Sequence, residues 1–231
     1  RIGLQDRVGF ANLARLGPVE QVFIATFAAG FAEAFPEEAV GAMDDAALAL
    51  VAEANRLAGR VHPLVQQAVG DLVRSMNCYY SNLIEGHDTH PRSIDRALAN
   101  DFSTEPRQRE LQLEAVAHIH VQKLIDEGND PDVWPASETY ARWLHKEFCS
   151  RLPEAMLWVE NPDTGEQLPV IPGECREHDV IVGRHVPPPH EQLGRFLSRF
   201  DTAYTAPHLS TLRKVQAVGA AHHRFLWIHP F

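Results

Sequence analysis

Hydrophobic and polar positions alternate along this chain mainly with the period of a helix. Residues 19–35 and 44–57 are Ala-rich and uninterrupted, and the second stretch opens on Asp44-Asp45, suited to an N-cap and to the positive end of a helix dipole. A third helix is predicted from Pro63, an N1-type proline, with Val69, Leu72, Val73, Met76, Tyr80 and Leu83 as its buried stripe and Gly86 as its stop. A long central helix follows from Leu113, Val116, Ala117, His120, Val121 and Leu124, closed by Gly128-Asn129. Residues 137–152 continue the pattern, with Trp143, Leu144 and Phe148 as core.

The texture changes over residues 156–189. Leu157-Trp158-Val159, a turn at Asn161-Pro162-Asp163-Thr164-Gly165 and then Val180-Ile181-Val182-Gly183 before three prolines predict a β-hairpin inserted into a helical protein. Two more helices, about 191–204 and 209–227, complete the chain, and no internal repeat or low-complexity tract interrupts it.

Composition narrows the function class. The 231 residues are 45% hydrophobic and 23% charged, enough for one large or two small domains with a real core. With 21 Lys and Arg against 31 Asp and Glu, the net charge of −10 disfavours a nonspecific grip on nucleic acid or anionic membrane. Cys78, Cys149 and Cys175 are odd in number and far apart, so they read as free thiols in a reducing cytosol. No apolar stretch approaches the length of a bilayer span, and the first residues lack a signal-peptide pattern. The localisation expected is cytoplasmic.

Common catalytic signatures are missing. The chain has no Gly-x-Gly-x-x-Gly turn, Walker-type loop, Gly-x-Ser-x-Gly elbow or His-Glu-x-x-His helix. Among 13 histidines, His118/His120 and His222/His223 are close, but neither pair has the i, i+4 spacing that aims two imidazoles at one ion. Ser81 and Glu85, four residues apart before Gly86, project from one side of a helix and could address one site, although an exposed polar face ending at a glycine accounts for the same spacing.

Three segments, in order, carry a resemblance. Ser81-Asn82-Leu83-Ile84-Glu85-Gly86 resembles the inhibitory motif of Fic proteins, Ser or Thr, three residues, Glu, then Gly or Asn. Residues 175–188 resemble the Fic flap, with Arg176, Val182-Gly183 and Pro187-Pro188. Ala221-His222-His223-Arg224-Phe225-Leu226-Trp227-Ile228-His229-Pro230-Phe231 resembles the helix and first residues of the Fic catalytic loop. The chain ends there, before the family's acidic-Gly-Asn-Gly-Arg half, and begins at Arg1 without Met, so a piece of a longer polypeptide is expected.

The resemblance implies a mostly α fold, a Fic-type helical bundle with an inserted β-hairpin flap. It divides the chain into an N-terminal packing segment (1–62), an inhibitory-helix region (63–110) and a Fic core cut within its catalytic loop (111–231). It implies transfer of AMP from ATP to a hydroxyl side chain of a target protein. His229 would be the base, Pro230 and Phe231 the structural residues of the motif, and Ser81, Glu85 and Gly86 the inhibitory element. Val180, Ile181, Val182 and Gly183 would dock an extended target segment. Mg²⁺ would be held by a residue beyond Phe231, with no metal ligand in this chain, and the fragment alone would be inactive. Other members of the family move other nucleotide or phosphate groups or remove AMP, and a non-catalytic helical module is the reading from another class. No membrane partner is implied, nucleic acid is not expected for this segment, and a homodimer is compatible with it.

Overall fold

The computed structural model of this chain describes residues 40–84, 86–87, 89–161, 164–204 and 209–231. Within them lie α1 (Val40–Ala58), α2 (Pro63–Ile84), α3 (Pro91–Leu98), α4 (Pro106–Asp126) and α5 (Glu138–Cys149). A 3₁₀ turn (Glu154–Met156) leads into β1 (Trp158–Glu160) and β2 (Gln167–Pro169). A second 3₁₀ turn (His190–Gln192) precedes α6 (Leu193–Tyr204) and α7 (Thr211–Ile228). The fold is mostly α with one small antiparallel hairpin, as the pattern predicts. The helix expected over 19–35 lies outside the described residues.

The ends of these helices are written in the sequence. Glu105 at the N-cap of α4 accepts from the amides of Arg107 and Gln108, while Ser137 and Ser210 accept from Tyr140 and Arg213 at the starts of α5 and α7. Three helices stop in the same way. After α2 the His87 amide donates to Asn82 O and the Gly86 amide to Leu83 O, with Gly86 at φ 79°. Gly128 plays that part after α4, and Asn100, at φ 62°, after α3. This paired return of amides to the last carbonyls needs a left-handed residue, which glycine adopts freely and asparagine tolerates.

α4 is the central strut. It packs on α2 and α3 on one side and on α5 on the other, and α5, α6 and α7 continue the stack to α1. Its two faces serve two clusters: Ala115 and Ile119 meet Cys78 and Ile94, whereas Ala117 meets Leu152 and Met156. His120, expected in the stripe, is exposed. Buried Gln112 is fully used, its Oε1 accepting from the Ser103 amide at 2.7 Å and its Nε2 donating to Ser93 O at 3.0 Å. The third cluster joins α6 to α7, where Ala217, Ala220 and Ala221 leave room for Leu197, Phe200 and Tyr204. Small residues on one helix let the other approach with its large side chains.

Two expectations are corrected. The stripe predicted to be buried on α2 faces outward, with Val69, Leu72, Val73, Tyr80 and Leu83 all exposed and Met76 half-buried. The buried side is Ser75, Cys78 and Asn82, narrow enough for close packing on Ala115, whose carbonyl accepts from Cys78 Sγ at 3.7 Å. Helical spacing identifies a stripe, but contact with α3 and α4 decides which stripe is covered. Next, α1 begins before residue 44, so Asp44 lies within it and its carboxylate accepts from Gln216 Nε2 on α7 instead of capping.

The hairpin strands also differ from the expected pair. Trp158, Val159 and Glu160 pair with Pro169, Leu168 and Gln167, so Val180 to Gly183 falls outside both strands. The three cysteines are free thiols. No described helix is long and apolar enough to cross a membrane.

The inverted face of α2 has a measurable consequence. Ile94→Ala, which empties a site that is 0% exposed, is expected to cost about 3 kcal/mol. Leu72→Ala, at a position 62% exposed, is expected to change stability by about 0.5 kcal/mol or less. Urea unfolding followed by tryptophan fluorescence measures both. A cost for Leu72→Ala matching that of Ile94→Ala would return the covered face to the predicted stripe.

Candidate active site at the end of α7

α7 delivers His229 at its C-cap in a left-handed conformation, φ 46° and ψ 64°, and the His229 amide donates to Phe225 O at 2.9 Å. A side chain with a Cβ is uncommon in that region, and a following proline restricts the residue further. The conformation turns the chain sharply off the helix into buried Pro230. Phe231 then stacks on His145 of α5, ring centroids 4.2 Å apart and planes within 7°, and lies tilted against Phe225 at 5.9 Å. The three residues at the end of the chain are thus anchored from α5 and α7 together.

The segment 173–189 closes over this turn. Arg176, its side chain only 3% exposed, donates from Nε to His229 O at 2.8 Å, from Nη1 to His178 O at 2.8 Å and from Nη2 to Pro188 O at 2.6 Å. Its own amide donates to Pro230 O at 2.9 Å. His185 meets Trp227 O through Nε2 at 2.9 Å. His145 supports the near edge, its Nδ1 accepting from the Gly173 amide at 3.0 Å.

Burial sets the protonation state of the site. It pushes His229 down to about 4, with Arg176 and then His185 repelling a second positive charge in the same direction. Burial likewise pushes His145 down to about 4. At neutral pH both rings are therefore neutral, and a neutral imidazole can accept a proton. The arrangement offers a proton acceptor fixed by its backbone at the mouth of a loop.

Ser81 is exposed near the end of α2 and Gly86 is the left-handed stop of that helix. Glu85 lies outside the described residues. Of the flap residues, Val182 is 2% exposed and exchanges both backbone hydrogen bonds with His185 at 2.9 Å, across a turn with Gly183 at φ 61°. The open edge expected along this segment is closed at Val182. Ile181 beside it is exposed. Sequence reasoning did not assign Arg176 or His145 to the site. The one available signal for Arg176 was its place in the flap-like segment, and for His145 there was none, because stacking across α5 is a tertiary contact.

Comparison with known proteins bears on this geometry. Residues 135–231 match the Fic/DOC family. That stretch holds α5, the hairpin, the loop with Arg176, α6, α7 and His229-Pro230-Phe231, and it excludes α1 to α4. Over 67 residues, 29% of its length, the chain is 38% identical to the protein adenylyltransferase Fic of Drosophila erecta and 40% identical to that of Drosophila yakuba. The same enzyme of Drosophila melanogaster is 38% identical over the same length. The matched stretch spans only 14% of the length of each of these curated relatives.

The depressed histidines make stability pH-dependent. Their folded values lie below the ordinary 6.5, so the unfolded chain binds more protons in that interval and stability falls as pH drops from about 6.5 to about 4. His118, His178 and His223 are shifted in the same direction by burial and add to the slope. Urea midpoints measured between pH 7 and pH 4 are expected to fall steadily. His145→Phe, which keeps a ring against Phe231 and removes one titrating group, is expected to give a shallower fall. A slope unchanged by that substitution would mean that His145 titrates normally in the folded protein.

Proposed function

We propose that this chain belongs to a protein adenylyltransferase, which moves AMP from ATP to a hydroxyl side chain of a target protein with His229 as general base. The single observation that carries the reading is the half-buried imidazole that α7 carries at its left-handed C-cap, within a stretch matching the Fic/DOC family. The adenylyltransferase named among the Drosophila relatives supports the choice of AMP.

The chemistry follows from the imidazole. A Ser, Thr or Tyr hydroxyl is a weak nucleophile near neutral pH, and His229 would take its proton as the oxygen attacks the α-phosphorus of ATP. The bond from that phosphorus to the bridging oxygen breaks, pyrophosphate leaves, and the target carries AMP. Pro230 and Phe231 keep the loop in place, the latter through its stack on His145. Magnesium belongs to the resemblance, in which its carboxylate follows the His-Pro-Phe segment. Among the described residues no group of three or more His, Cys, Asp or Glu side chains could hold a metal ion, and no step is assigned to one here.

An extended target segment would add to the main chain near Val180 and Ile181, beside the turn that Val182 and Gly183 make with His185. Inhibition is part of the same reading. A carboxylate at Glu85, following Ser81 on α2, would occupy the cation that otherwise holds the γ-phosphate and would repel a triphosphate.

The test is incubation of the full-length protein with labelled ATP, GTP, CTP and UTP, followed by mass analysis of modified proteins. The expected outcome is a gain of AMP on a hydroxyl side chain, reduced about 10²-fold or more by His229→Ala. Activity with another nucleotide alone would keep the base and change the donor. Undiminished transfer by His229→Ala would remove the base assignment.

The inhibitory role is tested separately. Glu85→Ala and Glu85→Gly are each expected to exceed wild-type modification, and either combined with His229→Ala is expected to be silent. The alanine variant separates loss of charge from the loosening that glycine introduces, about 1 kcal/mol near a helix end. If neither variant exceeds wild type with any nucleoside triphosphate, Glu85 is not inhibitory.

A further inference from the structure

We infer that Arg176 is a positioning residue for His229, fixing the base from the flap side by tying the strained turn that carries it to the main chain of residues 178–188. This rests on the reading of His229 as the base. The observation is one buried guanidinium whose donors reach three main-chain oxygens in separate parts of the chain, His229 O, His178 O and Pro188 O. A planar fork can span three fixed acceptors, while the compact ammonium of lysine cannot reach all of them in one pose. The side chain is buried, and its nearest carboxylate, Asp179, stands 3.9 Å away and is itself 66% exposed.

Two consequences follow from one group. By holding His229 O, Arg176 stabilises a left-handed residue before proline, a strained conformation that persists only where its surroundings fix it. By standing close with its charge intact, it opposes protonation of the imidazole, so the base stays available. The other charged or titratable group bearing on His229 is His185, from the same loop, which in turn faces His223 of α7. The flap thereby governs both where the base sits and whether it carries a proton.

The experiment uses the full-length protein with isotope-labelled histidines, comparing wild type, Arg176→Lys and Arg176→Met. His229 titration is read by NMR, and kcat, KM for ATP and the pH profile of transfer are measured in parallel. Arg176→Met is expected to raise the His229 midpoint by about one pH unit and to move the acid limb of the pH profile with it. Arg176→Lys is expected to leave the midpoint near wild type and to lower kcat about tenfold or more with little change in KM, since the charge survives and the fork does not. A His229 midpoint unmoved in a folded Arg176→Met would overturn the charge role, and wild-type kcat in Arg176→Lys would overturn the positioning role. If Arg176→Met does not fold, the lysine variant alone decides the positioning role. Failure of the base reading is distinguishable, because it appears as transfer that survives His229→Ala whatever the Arg176 variants do.

Discussion

The hydrogen bond from Arg176 Nε to His229 O is where the two halves of the site meet. On one side is α7, a helix built from N-cap to C-cap by its own sequence; on the other is a long irregular segment with little regular structure of its own. An irregular segment must find partners for its main-chain carbonyls, and here two of them are met by one side chain that also reaches the end of the helix. Hydrogen bonds to a charged donor contribute about 1.5–3 kcal/mol each, so this group outweighs any single apolar contact the segment makes. The remaining geometry follows: the Arg176 amide meets Pro230, His185 meets Trp227, and the loop lies over the end of α7.

The bundle beneath supplies a rigid platform. α6 and α7 approach closely because Ala217, Ala220 and Ala221 present little bulk to Phe200 and Tyr204, and this fixes the axis on which His229 is carried. α5 supplies the opposing wall, with His145 stacked on Phe231 and accepting from the Gly173 amide at the start of the closing segment. His145 thus contacts both Phe231 and the segment that covers it. Its neutrality matters, because a protonated Nδ1 could not accept that amide hydrogen.

Much of the fold was readable because helix signals are local. Ser137, Ser210, Gly86 and Gly128 act where the sequence put them, since a cap or a left-handed stop depends on only a few neighbouring residues. The covered face of α2 was not readable. Ser75, Cys78 and Asn82 look unremarkable beside the Val69, Leu72, Val73 stripe, and only the presence of α3 and Ala115 selects the narrower face. Of the site, the position of His229-Pro230-Phe231 at a helix end was legible from the motif. The ring stack on His145 and the carbonyls gathered by Arg176 were not, because they join residues 53 or more positions apart, or lie in segments with no periodicity. The strand at Gln167–Pro169 was missed for the opposite reason: three residues with little β-branched character give almost no signal, and the apolar run at Val180-Ile181-Val182 gave a stronger one.

The left-handed His229 shows why the site needs both its helix and its loop. Glycine would enter this conformation at no steric cost, as it does at Gly86 and Gly128, where the chain needs only to turn. His229 carries an imidazole through the same turn, so the strain is met by contacts elsewhere. The Phe225 carbonyl holds the amide of His229 from within α7, and Arg176 holds its carbonyl from the loop. With both main-chain groups fixed, the only freedom left at His229 is rotation of its own side chain. That is the freedom the role proposed for His229 requires, and it is supplied without loosening the backbone that carries the ring.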